Sequence, residues 1–342
     1  MIYRFTLLAL LMVAFTLPAY AQDSETGDEP YAKDTIVSLT IENDSLGNGR
    51  DGNYTSGVRF SYLNLNAELP DIAYTIADSI PTFELNDSSS VYYSFGHNIF
   101  TPNDITLPNP PVTDRPYAGY VYGSLGLVTV TGDHVDDVEA TLGLVGPWAL
   151  GEEIQRFVHK DIFPNAPDPE GWDYQLDNEP ALMVGWQRRY PEYFEEEFFG
   201  LNFRAEPNFG VTLGNVYTYA STGINFRLSP DTERWTDAPP RVRPAIPGTG
   251  YFEIPEDKHF SWYLFAGLDG RLMGRNIFLD GNTFSNSRNV DKNYLVGDAN
   301  VGIATTFDQM RVSYTLNYRT QEFHGQRESN AIFGAVNVSY RF

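Results

Sequence analysis

Cysteine is missing altogether from the 342 residues. That removes a disulfide framework, thiolate zinc sites, a cysteine nucleophile and the acylated cysteine of a lipoprotein, so the fold must rest on hydrogen bonding and packing. Beyond the first residues no stretch approaches the ~20 consecutive apolar residues a membrane helix needs, which excludes a helical membrane protein. Basic residues are scarce as well: 23 Lys and Arg stand against 45 Asp and Glu, a formal net charge of -22. A nucleic-acid partner is therefore not expected, since its phosphates require a basic surface. Histidine occurs only at 97, 134, 159, 259 and 324, without HExxH or other zinc spacing. There is no phosphate-cradling GxxxxGKS loop, and "GNGRDG" at 47–52 lacks the strand-to-helix setting of a nucleotide site.

What is present begins with "MIYRFTLLALLMVAFTLPAYAQ": a basic start at Arg4, an apolar core from Leu7 to Leu17, and small residues Ala19 and Ala21. This reads as a secretory signal peptide, residues 1–21, with a mature region 22–342 forming one domain. Aromatic residues make up 15% of a chain whose mean hydropathy is only -0.33. Many aromatics in a chain of modest hydropathy suit strands that alternate apolar and polar, as in outer-membrane barrels with aromatic girdles.

The alternation is clearest in "RVSYTLNYR", where Val312, Tyr314, Leu316 and Tyr318 interleave with Arg311, Ser313, Thr315, Asn317 and Arg319. It returns in "AVNVSYRF" with Val336, Val338, Tyr340 and Phe342. A terminal aromatic closing such a strand resembles the segment that the barrel assembly machinery recognises in bacterial outer-membrane proteins. Period-two runs fall near 35–43, 54–65, 91–98, 117–131, 135–146, 181–190, 198–210, 216–227, 260–272, 291–306, 310–322 and 331–342. The expectation is an all-β transmembrane antiparallel β-barrel of about twelve strands, an even number as single-chain bacterial barrels require. Both ends of the barrel chain then face the periplasm, and the outward loops are 44–53, 99–116, 147–180, 211–215, 273–290 and 323–330. Two inward connections are long for such a barrel: 66–90, with a short helix through its middle, and the proline-rich, irregular 228–258.

In this topology "ENDS" lands at the outer rim. Val37, Leu39, Ile41 and Asn43 share the lipid-facing row, and Ser38, Thr40, Glu42 and Asp44 the other. Asn43 and Asp44 suit the start of a turn, and equally a polar site at the edge of the outer leaflet. "TPNDITLPNPPVTDRPYAGY" places Asp114 and Arg115 at the same rim. "GPWALGEEIQRFVHK" gives the third outward loop a short amphipathic helix, with Glu152, Gln155 and His159 on one face and Ile154, Phe157 and Val158 on an apolar side. Such a helix outside the barrel would wall off a lipid-access groove.

"ENDS" followed by "YTSG", "DRPYAG" and "GPWALGEEIQRFVH" in that order resembles the outer-membrane lipid A 3'-O-deacylase family, over essentially the whole mature chain. The resemblance implies a twelve-stranded barrel in the bacterial outer membrane whose outward site removes the 3'-acyloxyacyl group of lipid A, part of lipopolysaccharide, with calcium as cofactor; a monomer is expected. It makes His159 the general base, Asp44 a calcium-associated carboxylate, Asn43 an amide that orients substrate or oxyanion, and Thr55 a site threonine. Gln155 would orient the imidazole or hold substrate, and Arg115 would pair with Asp114 or a lipid A phosphate, for which its planar fork is suited. The chain departs from the family pattern in two places. No lysine occurs in 99–116, where Thr106 is the nearest match, and Asn165 replaces an acidic residue for which Asp161 is a substitute. Two alternatives stand beside this reading: a phospholipase with Ser45 or Ser56 as nucleophile, distinguished by a covalent label on serine, and a non-enzymatic barrel, distinguished by ion conductance. His97 is a second-rank candidate for the same site.

Overall fold

The computed structural model describes residues 35–47, 53–66, 68–80, 83–164, 166–230, 238–242, 248–253 and 259–342. The signal peptide read from residues 1–21 lies outside the described residues, as does Asn165.

Thirteen strands form one antiparallel sheet: β1 (Thr35–Asn43), β2 (Asn53–Asn64), β3 (Ser90–Thr101), β4 (Ala118–Thr131), β5 (His134–Val145), β6 (Glu179–Arg189), β7 (Phe194–Phe198), β8 (Leu201–Gly214), β9 (Tyr217–Ser229), β10 (Phe260–Asn276), β11 (Leu295–Phe307), β12 (Met310–Thr320) and β13 (Asn330–Arg341). The sheet closes on itself. β13 returns to β1, with Arg341 opposite Ile36 and Gly334 opposite Asn43, and β6 pairs with β8. β7 takes over beside β8 where β6 leaves off, since Arg189 faces Asn208 and Phe194 faces Ala205. β6 and β7 thus share one place in the wall, and the barrel has the expected twelve positions.

The alternation sorts side chains as a barrel in lipid requires. On β12, Arg311, Ser313, Thr315, Asn317 and Arg319 are buried toward the interior while Tyr314, Leu316 and Tyr318 are exposed. The same inversion holds around the wall: Phe95, Leu142, Leu182, Leu213, Leu268 and Val301 point outward. A water-soluble protein would not leave so wide an apolar surface open. The interior carries ion pairs instead: Arg59 with Glu139, Asp298 with both Arg271 and Arg319, and Arg115 with Glu322. Burying such charges requires partners with good geometry, because each ion loses its hydration.

Sequence and structure differ at strand ends. β3 runs on to Thr101, three residues past the expected end, and β11 begins at Leu295 rather than 291. The expected strand 198–210 is split from an extra hairpin, because Phe199 (φ 53°) and Gly200 (φ 75°) turn the chain between β7 and β8. Both long inward connections have a place. Helix α1 (Asp71–Asp78) lies on the outside of the wall, where Ala73, Ala77 and Phe83 pack against Val91, Leu127 and Val138 of β3 to β5. From the second connection, 238–242 and 248–253 lie inside the barrel, where Thr40 donates to the Pro240 carbonyl and Arg311 to that of Gly250.

Candidate active site

β1 ends at the outer rim with Asn43, which caps a 3-10 turn over Asp44–Leu46. Its side-chain oxygen accepts from the Ser45 amide at 2.8 Å and from the Ser45 hydroxyl, while its amide nitrogen donates to the Thr55 carbonyl at 2.8 Å. Asn is suited to this place because its short amide reaches the backbone two residues on. Asp44, one residue further, is buried. Thr55 sits at a bulge in β2 between Tyr54 and Ser56, and its hydroxyl shares a 2.7 Å hydrogen bond with that of Thr101 on β3. Bulges re-aim side chains beside functional sites. Asn43, Thr55 and Thr101 thus form one hydrogen-bonded row across three strands, with Asp44 at its end.

Helix α2 (Gly151–Phe157) stands on the outer face of β3 and β4. The contact is close because it is made between glycines: a Cβ on Gly119 would lie 2.9 Å from the Gly151 nitrogen, and one on Gly151 would meet Trp172 at 2.6 Å. Ile99, Ile105, Tyr117 and Trp172 fill the space beside the helix, with Ile154 packed against them. His97, on the outward row of β3, holds the loop by donating from Nε2 to the Ala149 carbonyl at 2.7 Å. The helix then widens into one π turn, Val158–Ile162, closed by Phe163 N–H to Val158 O at 2.8 Å. Such turns are rare and recur at functional sites.

His159 lies in that turn, buried, with Nδ1 2.6 Å from the Pro167 carbonyl. A carbonyl can only accept, so Nδ1 carries the hydrogen, and in the neutral ring Nε2 is the nitrogen able to take a proton. One turn earlier, the Gln155 carbonyl accepts the Trp172 indole N–H at 2.9 Å, and its amide nitrogen is buried without a hydrogen-bond partner among the described residues. Gln155 and His159 share one face, as expected from sequence, with Glu152 half buried beside them. The buried stripe is Gly151, Gln155 and His159, while Ile154, Phe157 and Val158 are only half buried and Trp148, Leu150, Ile162 and Phe163 are exposed. In contact with lipid the apolar side is the solvent side, so the polar stripe turns toward the wall.

Arg115 is not displayed at the surface. It is buried in the barrel, 3.2 Å from Glu322 and against the Phe100 and Phe323 rings. Asp114 instead accepts from the amides of Asn103 and Arg115. Thr106 is exposed and donates to Asp104, whose carboxyl is thereby held below its usual range. Asp161 is exposed, two residues past His159. The Ser45 hydroxyl is engaged by Asn43. Trp172, Thr101 and the glycine pair were not expected from sequence: a lone Trp in an irregular loop and a Gly in a strand carry no periodic signal.

No group of three or more carboxylates, histidines or cysteines suited to a metal gathers among the described residues. Among the described residues, oxygen-bearing groups near the end of β1 include the Asp44 carboxylate and the paired hydroxyls of Thr55 and Thr101. Oxygen ligands of this kind would fit calcium in type.

A family model described as "Outer membrane protein LpxR" matches residues 6–342. Among solved structures, LpxR from Salmonella typhimurium is similar with a TM-score of 0.70 and 18% identity, covering 90% of this chain and 100% of that one. The translocator domain of the autotransporter NalP from Neisseria meningitidis aligns at a TM-score of 0.39 and 11% identity, over 99% of this chain and 98% of that one. No curated protein matches the sequence.

Proposed function

Since the chain belongs to the LpxR family and is a barrel of the bacterial outer membrane, we propose that it hydrolyses an acyl ester of lipid A, releasing the 3'-acyloxyacyl group, with His159 as general base. The observation that carries this is the polar stripe of Gln155 and His159, buried on the outer face of the wall beneath a helix whose exposed neighbours are apolar. A catalyst for a lipid ester needs such a place: polar at the reacting bond and apolar where acyl chains lie.

In the reaction His159 Nε2 takes a proton from water as the water oxygen bonds to the acyl carbon. The Pro167 carbonyl holds the hydrogen on Nδ1, so that Nε2 is the nitrogen that accepts the proton. Collapse of the tetrahedral alkoxide breaks the bond to the sugar oxygen, which receives the proton from the imidazolium, leaving a sugar 3'-hydroxyl and a free fatty acid. No acyl-enzyme is formed. Asn43 would orient substrate at the rim, and Gln155, with a buried amide N–H to offer, would hold substrate or water. Calcium, bound by Asp44 with neighbouring oxygens, would polarise the ester carbonyl and stabilise the developing negative charge.

The test is mass spectrometry of lipid A after incubation with folded protein, with calcium or a chelator, for the wild type and His159→Ala. The expected result is calcium-dependent loss of the 3'-linked group, slowed by about 10²- to 10⁴-fold in the variant. Unchanged lipid A in every arm would overturn the reading. Labelling of a serine by a covalent inhibitor would transfer it to the phospholipase alternative, and open conductance in planar bilayers to a passive channel.

A further inference from the structure

The connection between β9 and β10 does more than occupy the lumen. Its contacts climb the inner wall in order along β1. At the bottom, Arg341, which sits opposite Ile36, donates to the Phe252 carbonyl at 2.7 Å. Next, Arg311, opposite Ser339 and so level with Ser38, donates to Gly250 at 3.0 Å and to Tyr251 at 3.3 Å. Higher still, Thr40 donates to the Pro240 carbonyl at 3.1 Å. At the top the Val242 N–H donates to the Glu42 carboxylate at 3.0 Å. Ile36 to Glu42 is six residues, roughly 20 Å of strand. Val242 then enters the apolar cluster at the outer end, with Phe100, Tyr120, Phe278 and Phe333.

Glu42 immediately precedes Asn43 and Asp44, and its side chain is on the buried inner row of β1. A backbone hydrogen bond to a buried carboxylate is charge-assisted and short-ranged. It is made here by a segment belonging to the periplasmic side of the chain. We infer that residues 238–242 form an internal strut that positions the outer end of β1 through the Val242–Glu42 bond, making Glu42 a positioning residue for Asn43 and Asp44. The inference rests on reading Asn43 and Asp44 as site residues. Two features fit a rigid strut: consecutive prolines, Pro239 and Pro240, remove backbone freedom, and both of its upper contacts fall on β1.

The variants are Glu42→Ala, Glu42→Gln and Val242→Pro, the last removing the donor while leaving the carboxylate. Two readouts are taken on the intact detergent-folded chain: amide hydrogen exchange over 41–47 against 120–145, and kcat and KM on lipid A. Glu42→Ala and Val242→Pro are expected to speed exchange over 41–47 on the order of ten-fold, to leave 120–145 unchanged, and to lower kcat more than they raise KM. Glu42→Gln, which keeps an acceptor, is expected to behave close to wild type, and the double variant no worse than either single one. Unchanged exchange over 41–47 overturns the strut, as does faster exchange with kcat intact. Faster exchange in a protein whose wild type leaves lipid A untouched upholds the bracing of β1 and overturns the hydrolase reading instead.

Discussion

Replacing Gly119 by alanine adds one methyl group between the wall and helix α2, about as small a perturbation as the site allows. The new Cβ would sit 2.9 Å from the Gly151 nitrogen, 3.0 Å from its Cα and 3.3 Å from the Ala149 Cβ. Carbon atoms rest at about 3.5–4.0 Å, so the helix must retreat by roughly 0.5–1 Å or the strand must bend. Overpacking of this kind typically costs about 1–3 kcal/mol. The wall at Gly119 is held on both sides, to Ile99 on β3 and through the Gly146 N–H at 3.0 Å, so the helix is the part that moves. It carries Gln155 and leads into His159, and a misplacement of ~1 Å in a catalytic geometry can lower the rate about 10²-fold. The expected outcome is a 10- to 100-fold fall in kcat/KM for acyl release, about 1.4–2.8 kcal/mol of transition-state stabilisation, with the folded barrel migrating normally in semi-native electrophoresis. Activity within about two-fold of wild type would refute the argument that the Gly119–Gly151 contact sets the position of the base.

Four other outcomes follow from the same structure. Asp298→Ala leaves the Arg271 and Arg319 guanidiniums facing a missing carboxylate and is expected to destabilise the barrel by about 3–5 kcal/mol in denaturant titration. Val301→Arg, on the exposed outer row of β11, should cost about 2–4 kcal/mol for a charge near the bilayer midplane and reduce membrane insertion. Trp172→Phe removes the indole donor to Gln155. Hydrogen exchange in 151–157 should rise, with a local loss of about 1–3 kcal/mol, while the strands keep their protection. Burial, with Glu253 beside it, pushes the Tyr251 hydroxyl up to about 12. The native state therefore holds its proton where the unfolded chain has lost it, so stability should fall as pH rises from the ordinary tyrosine value toward 12, and Tyr251→Phe should flatten that slope.

Much of the wall was legible because the barrel imposes the two-residue period on nearly every strand. The row Arg311, Ser313, Thr315, Asn317 and Arg319 could be assigned to one face from the string alone, and all five are buried. The parity of β1 likewise turned Ile41 outward, where it is exposed, and Glu42 inward, where it is buried. What sequence could not supply were pairings between distant segments: the Arg115 partner, Glu322, lies 207 positions away, and the 238–242 and 248–253 segments inside the barrel have no period, only prolines. Which face of helix α2 meets the wall was not legible from its amphipathic pattern. The amphipathic rule assumes water outside and would turn Ile154, Phe157 and Val158 inward. Beside a lipid leaflet the rule changes sign, and Gln155 and His159 take the buried side.

That inversion also bears on how substrate would arrive. A route through the pore would meet the 238–242 and 248–253 segments, then the cluster of Phe100, Tyr120, Phe278 and Phe333 at the outer end. Among the described residues the route from the side meets apolar surface instead: Trp148, Leu150, Ile162 and Phe163 surround a buried polar stripe. Acyl chains already lying in the outer leaflet need not leave an apolar medium to reach it, so the desolvation that opposes taking a lipid into a water-filled pore does not arise. The barrel then serves as a rigid wall, braced from within, against which a short helix and the rim of β1 can hold their polar groups at the membrane surface.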